Sequence, residues 1–320
     1  MAAVPEMINH VPVLVNEVCE VFEPCLGTGI IVDATVGGGG HTIALVRAIL
    51  KRGERKRKPG VQILGFDLDP ESLVTAAGRL KEFGCQIIDI SEGSKCGSAS
   101  ALVCLVRANY ADMATVVSRL GYEPVKGVLM DLGISAIQLR PQRGFAFDYD
   151  GPLDMRFDQT GGVPSALDVI RRASAKNLER WLREYGDEPA AKRISRRIYE
   201  WRRRIRRTME LADLVAGLVP ARRRRKTLAR VFQAIRIVVN REIDSLRCGL
   251  EAGFRILAPG GRLAVICYQS GEDRCVKELM RRERGRLRVL TPKPVRPSAD
   301  EVSANPRARS ARLRAFEKVL

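Results

Sequence analysis

Several absences narrow the reading of this chain at once. Only two histidines, His10 and His41, occur in 320 residues. The eight cysteines, at 19, 25, 85, 96, 104, 248, 267 and 275, include no C-x-x-C pair. Neither count supports a zinc centre, and reduced, mostly buried thiols are expected. No uninterrupted apolar run reaches the roughly 18 residues that a membrane span needs. The first ten residues carry acid, proline and no apolar run, so no secretory signal is expected and a cytoplasmic location is. Acid is also scarce. Against 55 Lys+Arg stand 37 Asp+Glu, a net charge of +18 that points to a polyanionic partner, since neutralising phosphates releases counterions.

What is present gathers around residues 30–41, IIVDATVGGGGH. Ile30, Ile31 and Val32 suit a buried strand, and Asp33 and four glycines then break it. Ile43, Ala44, Val46, Arg47 and Leu50 continue as a helix. Strand, glycine turn and helix together bring bare backbone up to a nucleotide-like ligand, because glycine permits positive φ and has no Cβ in the way. A dinucleotide fingerprint would need glycine at position 42 or 43, where Thr42 and Ile43 stand, and no G-x-x-x-x-G-K-[ST] phosphate loop exists. The pattern suits a nucleoside without a pyrophosphate, a description that S-adenosylmethionine meets. A tight turn that merely closes the corner is the alternative.

Three further strands are expected, at 61–66, 102–106 and 125–132. Each carries an acid at or just past its end: Asp67, Asp112 and Asp131. The ends of parallel strands line one crevice, so some of these acids should converge. Asp67 is placed to accept hydrogen bonds from ribose hydroxyls, while Asp69, followed by Pro70, fits a helix N-cap better. Tyr110 is a candidate to stack on an adenine ring, or a core tyrosine. The N-terminal stretch 10–25 has helical spacing. Residues 51–58 (KRGERKRK) and 84–100 read as surface loops.

Beyond 143–158, RGFAFDYDGPLDMRFD, an ordered loop over a site or a domain join, the composition shifts. Residues 165–207 read as helical, with Ile194, Ile198, Trp201 and Ile205 on one face and arginines elsewhere. Arg222, Arg223, Arg224 and Arg225 form a further basic run. These arginines are candidate phosphate contacts or a solvated helix face. A long helix is expected from Thr227 to Leu257, ended by Pro259, Gly260 and Gly261, with a strand resuming at 262–268. The expected organisation is 1–149 and 227–320 as one α/β domain, with 150–226 as an inserted all-helical domain.

LAPGGRL at 257–263 resembles a turn and strand common among S-adenosylmethionine-dependent methyltransferases. More specifically, HVPVLVNEV, DATVGGGGH, GFDLDP, DLGISAIQL, RGFAFDYDGPLDMRFD, FQAIRIVVNREI and NPRARSARLR resemble the RsmH (MraW) family along nearly the whole chain. That resemblance implies a Rossmann-like class I S-adenosylmethionine-dependent methyltransferase domain with an inserted all-helical domain. It implies S-adenosyl-L-methionine as cofactor and 16S rRNA of the small ribosomal subunit as partner, methylated at N4 of a decoding-centre cytidine. By position it carries over Gly39, Gly40, His41, Asp67, Tyr110, Asp131 and Gln138 as cofactor contacts. One departure concerns CYQSGEDR at 267–274, where the family typically has SFHSLEDR. Gln269 then replaces a histidine, and with it any base at that position.

Asp131 is also the candidate acceptor of an N4 proton, and Phe145, Phe147 or Tyr149 are candidates to stack on RNA. Two other classes share part of this pattern. A nicotinamide-dependent oxidoreductase has the same strand–glycine–acid layout, and a non-catalytic rRNA-binding assembly factor would keep the basic insert. Oligomeric state stays open, a homodimer included.

Overall fold

The computed structural model of the chain describes residues 11–27, 29–52, 62–88 and 102–320. Most of the basic loop at 51–58 and residues 89–100 lie outside that set. Two compact units form: residues 1–135 with 244–320, and residues 136–243.

The first unit contains α1 (Val15–Phe22), β1 (Ile31–Asp33), α2 (Gly40–Lys51), β2 (Ile63–Asp67), α3 (Pro70–Leu80), β3 (Cys85–Ile88), β4 (Val103–Arg107), α4 (Met113–Arg119) and β5 (Val125–Asp131). The second contains α5 (Ala166–Arg172), α6 (Ala175–Glu184), α7 (Ala191–Trp201), α8 (Thr208–Ala216) and α9 (Arg224–Asn240). The chain returns through α10 (Glu242–Ile256) to β6 (Leu257–Cys267), α11 (Ser270–Arg282), β7 (Leu287–Val289), α12 (Ala299–Ala304) and β8 (Arg312–Lys318).

The strands of the described residues make one sheet in the order β3-β4-β2-β1-β5-β6-β8-β7. All run one way except β8, which is antiparallel to both its neighbours. Its central strands read as continuous apolar runs because both faces are covered. Ile31, Ile63 and Leu129 join one core with residues of α1, α2 and α3. On the other face Gly253 of α10 brings the helix against Val128, Met130 and Leu263. Complete burial of side chains such as Ile31, Ile63 and Leu129 contributes about 1.5–3 kcal/mol each. Strand order reverses at β1, with β2 on one side and β5 on the other, so the carboxyl tips of these three flank the switch point.

Several expectations are corrected. Residues 85–88 are an edge strand rather than loop. The helix expected from 227 to 257 is two helices, broken at Arg241, whose φ is +50°. The break follows from Asn240: its Nδ2 donates to Met155 O at 2.7 Å and its Oδ1 accepts from Phe157 N at 2.8 Å, which fixes the end of α9. Pro259, Gly260 and Gly261 lie within an irregular β6, which begins directly after α10 ends at Ile256. Residues 165–207 form three helices, the first opened by a reciprocal cap between Ser165 and Asp168.

The second unit extends beyond the expected 150–226 at both ends. Upstream, buried Arg143 donates to Arg156 O and Phe157 O at 3.1 and 2.8 Å. Downstream, α9 packs on α5, α6 and α8. The aromatic and acidic block at 143–158 is thus a folded knot of this unit. Asp154 takes the Arg156 guanidinium side-on, at 2.9 and 2.8 Å. Burial alone would raise the Asp154 carboxyl, but this pairing holds it below the usual range. Phe145 and Phe157 stack at 5.7 Å.

The knot allows a direct test of its packing. Gly144 has φ +73°, and a Cβ there would stand 2.2 Å from Pro152 O. Gly144→Ala is expected to destabilise the second unit by at least about 2 kcal/mol in chemical denaturation. A loss under about 0.5 kcal/mol would show that the knot yields freely.

Candidate functional site

The site is built from the tip of β1 outward. Asp33 is fully buried, accepting from Thr42 Oγ1 at 2.6 Å and from Thr35 N at 3.2 Å. Burial raises its carboxyl, and these two donors oppose the rise. Asp33 therefore ties both ends of the glycine bend together. Within the bend Gly37 and Gly39 take φ +51° and +80°, conformations that cost other residues roughly 1–3 kcal/mol each. The turn is closed by Gly39 N donating to Val36 O at 2.8 Å, and α2 starts at Gly40. The first amides of such a helix have no intrahelical acceptor and favour a negative or carbonyl group.

Asp67, at the tip of β2, holds the bend from the other side. Its Oδ2 accepts from Gly37 N and its Oδ1 from Asp69 N, each at 2.8 Å. Asp69 is the N-cap of α3, accepting from Glu71 N at 3.1 Å with Pro70 following, as its sequence position predicts. Burial pushes Asp67 up to about 7, and the carboxylates of Asp69 and Asp33 add to that. The two amides pull the other way.

Asp131, at the tip of β5, sits among three groups. Its backbone amide donates to Thr35 Oγ1 at 2.6 Å. Its Oδ1 accepts from the Tyr268 hydroxyl at 3.0 Å, and its Oδ2 lies 3.5 Å from His41 Nδ1. The other ring nitrogen of buried His41, Nε2, is 2.9 Å from Val13 O, an acceptor, so Nε2 carries a proton. Burial first, then the Asp131 carboxylate, push the Tyr268 hydroxyl far above the ordinary phenol range, so it remains a donor. The Tyr268 hydroxyl thus orients the Asp131 carboxylate, and the His41 ring stands beside its other oxygen.

The structure thus brings Gly39, His41, Asp67 and Asp131 around one bend. Gly40 sits there too, but its face is covered: a Cβ on it would stand 2.9 Å from Pro12 Cγ. Tyr110 lies in a short turn after β4, half-buried, its ring edge against α10, where a Cβ on Gly249 would stand 2.5 Å from Cδ2. Gln138 belongs to the second unit, buried in the turn Ile137–Leu139. Asp112 leads into α4 and takes no part in the bend.

Sequence reasoning missed Tyr268, Thr35, Thr42 and the 11–14 segment. Thr35 and Thr42 flank the glycines, and hydroxyls beside a strand-end aspartate are a readable signal. Gln269 has a structural task of its own. It forms the N-cap of α11, donating from Nε2 to Glu272 Oε1 at 2.8 Å while Glu272 Oε2 accepts from Gln269 N at 3.2 Å.

A doubly wound, mostly parallel sheet with a side-chain-free bend after its first strand and carboxylates at the neighbouring tips makes this a Rossmann-like S-adenosylmethionine-dependent methyltransferase domain. Comparison with known proteins narrows the class. The chain belongs to the MraW methylase family, whose match spans residues 7–319, and it is a methyltransferase that uses S-adenosyl-L-methionine. It is 40% identical to ribosomal RNA small subunit methyltransferase H of Thermomicrobium roseum, over 98% of this chain and 95% of that protein. The proteins of the same name from Carboxydothermus hydrogenoformans and Thermotoga neapolitana are 41% and 43% identical. Each alignment covers 97% of this chain, with 98% and 96% of the relatives.

The raised Asp67 carboxyl makes a stability prediction for the free protein. The folded state holds this proton more tightly than the unfolded chain, so the contribution is complete below about 4 and is lost as pH rises through about 7. Melting temperature followed over that window is expected to fall less steeply in Asp67→Asn than in the native protein. Superimposable profiles would contradict the burial of this charge.

Proposed function

We propose that this protein transfers a methyl group from S-adenosylmethionine to N4 of a cytidine in the decoding centre of 16S rRNA. The observation that carries the reading is the bend at Gly37–Gly39 with Asp67 and Asp131 on either side. The residues present fit a methyl-donor nucleoside. Left-handed glycines shape the bend, and the Asp67 carboxylate, with both oxygens oriented by backbone amides, is of the type that receives a ribose diol. The first amides of α2, which lack intrahelical acceptors, suit the amino-acid carboxylate. Tyr110 is a candidate neighbour of the base, and Gln138 a further contact implied by the family resemblance.

The cofactor supplies an electrophilic methyl on sulfonium, so the protein's part is to place and activate a poor nucleophile. The lone pair of cytosine N4 is delocalised into the ring. Asp131, held by the Tyr268 hydroxyl, accepts an N4–H, which localises that pair, and it takes the proton as the nitrogen–carbon bond forms and the methyl leaves sulfur. General-base assistance of this kind contributes roughly 10²–10⁴-fold. Orientation of the two reactants recovers on the order of 7–11 kcal/mol of the barrier. The base leaves its stack to react, at a cost of a few kcal/mol that contacts to the RNA backbone offset.

The second unit supplies the basic surface for those contacts. Arg202, Arg203 and Arg204 follow α7, and the Arg204 and Arg197 guanidiniums lie 4.9 and 4.7 Å from the centre of the Trp201 ring. Arg225 is engaged within the unit, bound to Asp148 through two hydrogen bonds of 3.1 Å and lying over Phe147. Phe147 is thereby occupied, and among Phe145, Phe147 and Tyr149 it is Tyr149 that is exposed. A catalytically silent assembly factor finds no support in Gln269, since capping α11 gives that side chain a role unconnected with loss of activity.

The direct experiment is a tritium-methyl transfer assay with assembled 30S subunits, naked 16S rRNA and no RNA in parallel. Label at a single cytidine N4 is expected, and label on no RNA would overturn the reading. Asp67→Ala is expected to weaken S-adenosylhomocysteine binding at least tenfold while RNA affinity changes less than twofold. Equal loss of both would remove Asp67 from the cofactor site. Replacing Arg222, Arg223 and Arg224 with glutamine should lower the slope of RNA affinity against salt. An unchanged slope would take that run out of the RNA interface.

A further inference from the structure

The segment Val11, Pro12, Val13, Leu14 crosses the glycine bend and touches it twice. The Pro12 ring fills the space where a side chain on Gly40 would be, and Val13 O takes the Nε2 proton of His41 at 2.9 Å. Nothing in those four residues fixes such a path by itself. Leu14 is a buried leucine in the left-handed region, φ +56°, a conformation that persists only where surroundings enforce it.

The enforcement comes from the far end of the chain. Glu301, in α12, accepts from Leu14 N through Oε1 at 2.7 Å. Asn305, one turn on, donates from Nδ2 to Val11 O at 3.2 Å. The two side chains therefore grip the segment by backbone groups at both of its ends. Their own placement is set locally: Ser298 caps α12 through Glu301 N at 3.1 Å, and Asn305 N donates to Glu301 O at 2.7 Å. Ala308 and Ala311, fully buried in the same core as Val13 and Leu14, continue the packing into β8.

We infer that Glu301 is a positioning residue for methyl transfer, setting, through Leu14 and Val13, the proton position and ring orientation of His41 beside Asp131. The chain of contacts is Glu301 to Leu14 amide, Val13 carbonyl to His41 Nε2, and His41 Nδ1 to Asp131 Oδ2. Because Val13 O accepts only from a protonated Nε2, the segment decides which nitrogen faces Asp131. This rests on the reading of the bend and Asp131 as the methyl-transfer site. Glu301 itself touches neither substrate nor cofactor in that arrangement. Asn305 supports the same segment from its other end.

The test uses the full chain and two readouts. The first is calorimetric affinity for S-adenosylhomocysteine, together with kcat and KM for methyl transfer. The second is the ¹⁵N spectrum of the imidazoles, which is simple here because only two histidines exist and His10→Gln assigns the pair. Glu301→Ala is expected to weaken S-adenosylhomocysteine about tenfold, to lower kcat more than it raises KM for RNA, and to redistribute the His41 proton between its nitrogens. Glu301→Gln keeps an acceptor for Leu14 N and is expected to restore all three to within about twofold of native. Should Glu301→Ala fail to fold, Asn305→Ala, at an exposed contact, is expected to shift the same readouts in the same direction. An unchanged His41 spectrum in the alanine variant would overturn the proposal, as would equal impairment of the alanine and glutamine variants. Native protein with no affinity for S-adenosylhomocysteine would instead remove the site reading, and the His41 spectrum would still decide whether Glu301 sets that ring.

Discussion

One bend governs this structure. After β1 the chain must reverse within a few residues and begin α2, and it does so through two glycines in left-handed conformations. A bend without side chains has nothing of its own to hold it. The carboxylates on both sides supply the hold: Asp33 binds Thr35 and Thr42 across it, and Asp67 accepts the Gly37 amide. Packing adds to this hold, with Gly39 lying against Ala76 of α3 and Gly40 against Pro12, and Arg79 donates to Gly38 O at 2.6 Å. Asp67 is left with a raised affinity for protons, because the residue is enclosed beside other acids.

The second acidic centre follows from the first. Thr35 sits inside the bend and takes the backbone amide of Asp131 on its hydroxyl, so the tip of β5 is registered against the same turn. Tyr268, just beyond β6, reaches back to Asp131, and His41, at the start of α2, lies beside its other oxygen. Tyr268 and His41 thereby meet at the Asp131 carboxylate, while Thr35 holds its backbone. In the proposed reaction that carboxylate receives a proton, while Asp67, on the opposite side of the bend, engages the ribose.

Much of this was legible in the sequence, and the limits have physical causes. The glycine run, the acids at strand ends and the cap at Asp69 are local signals, readable because turn and cap chemistry depend on a few adjacent residues. The break at Arg241 was not legible, since apolar spacing continues smoothly from Ile235 to Phe254 while the interruption is imposed by Asn240 binding a loop 83–85 residues away. The same holds for Tyr268 and for the segment at 11–14, whose roles depend on partners far along the chain. The outer limits of the second unit were hidden too, because Arg143 and α9 join it through tertiary contacts and not through composition.

In the proposed function the bend holds a methyl-donor nucleoside. Isothermal calorimetry of the purified chain with S-adenosylhomocysteine, run beside NAD, tests this most directly. Saturable binding of one S-adenosylhomocysteine per chain, with no heat from NAD, is the predicted result. Binding of NAD alone, or of neither, would contradict it.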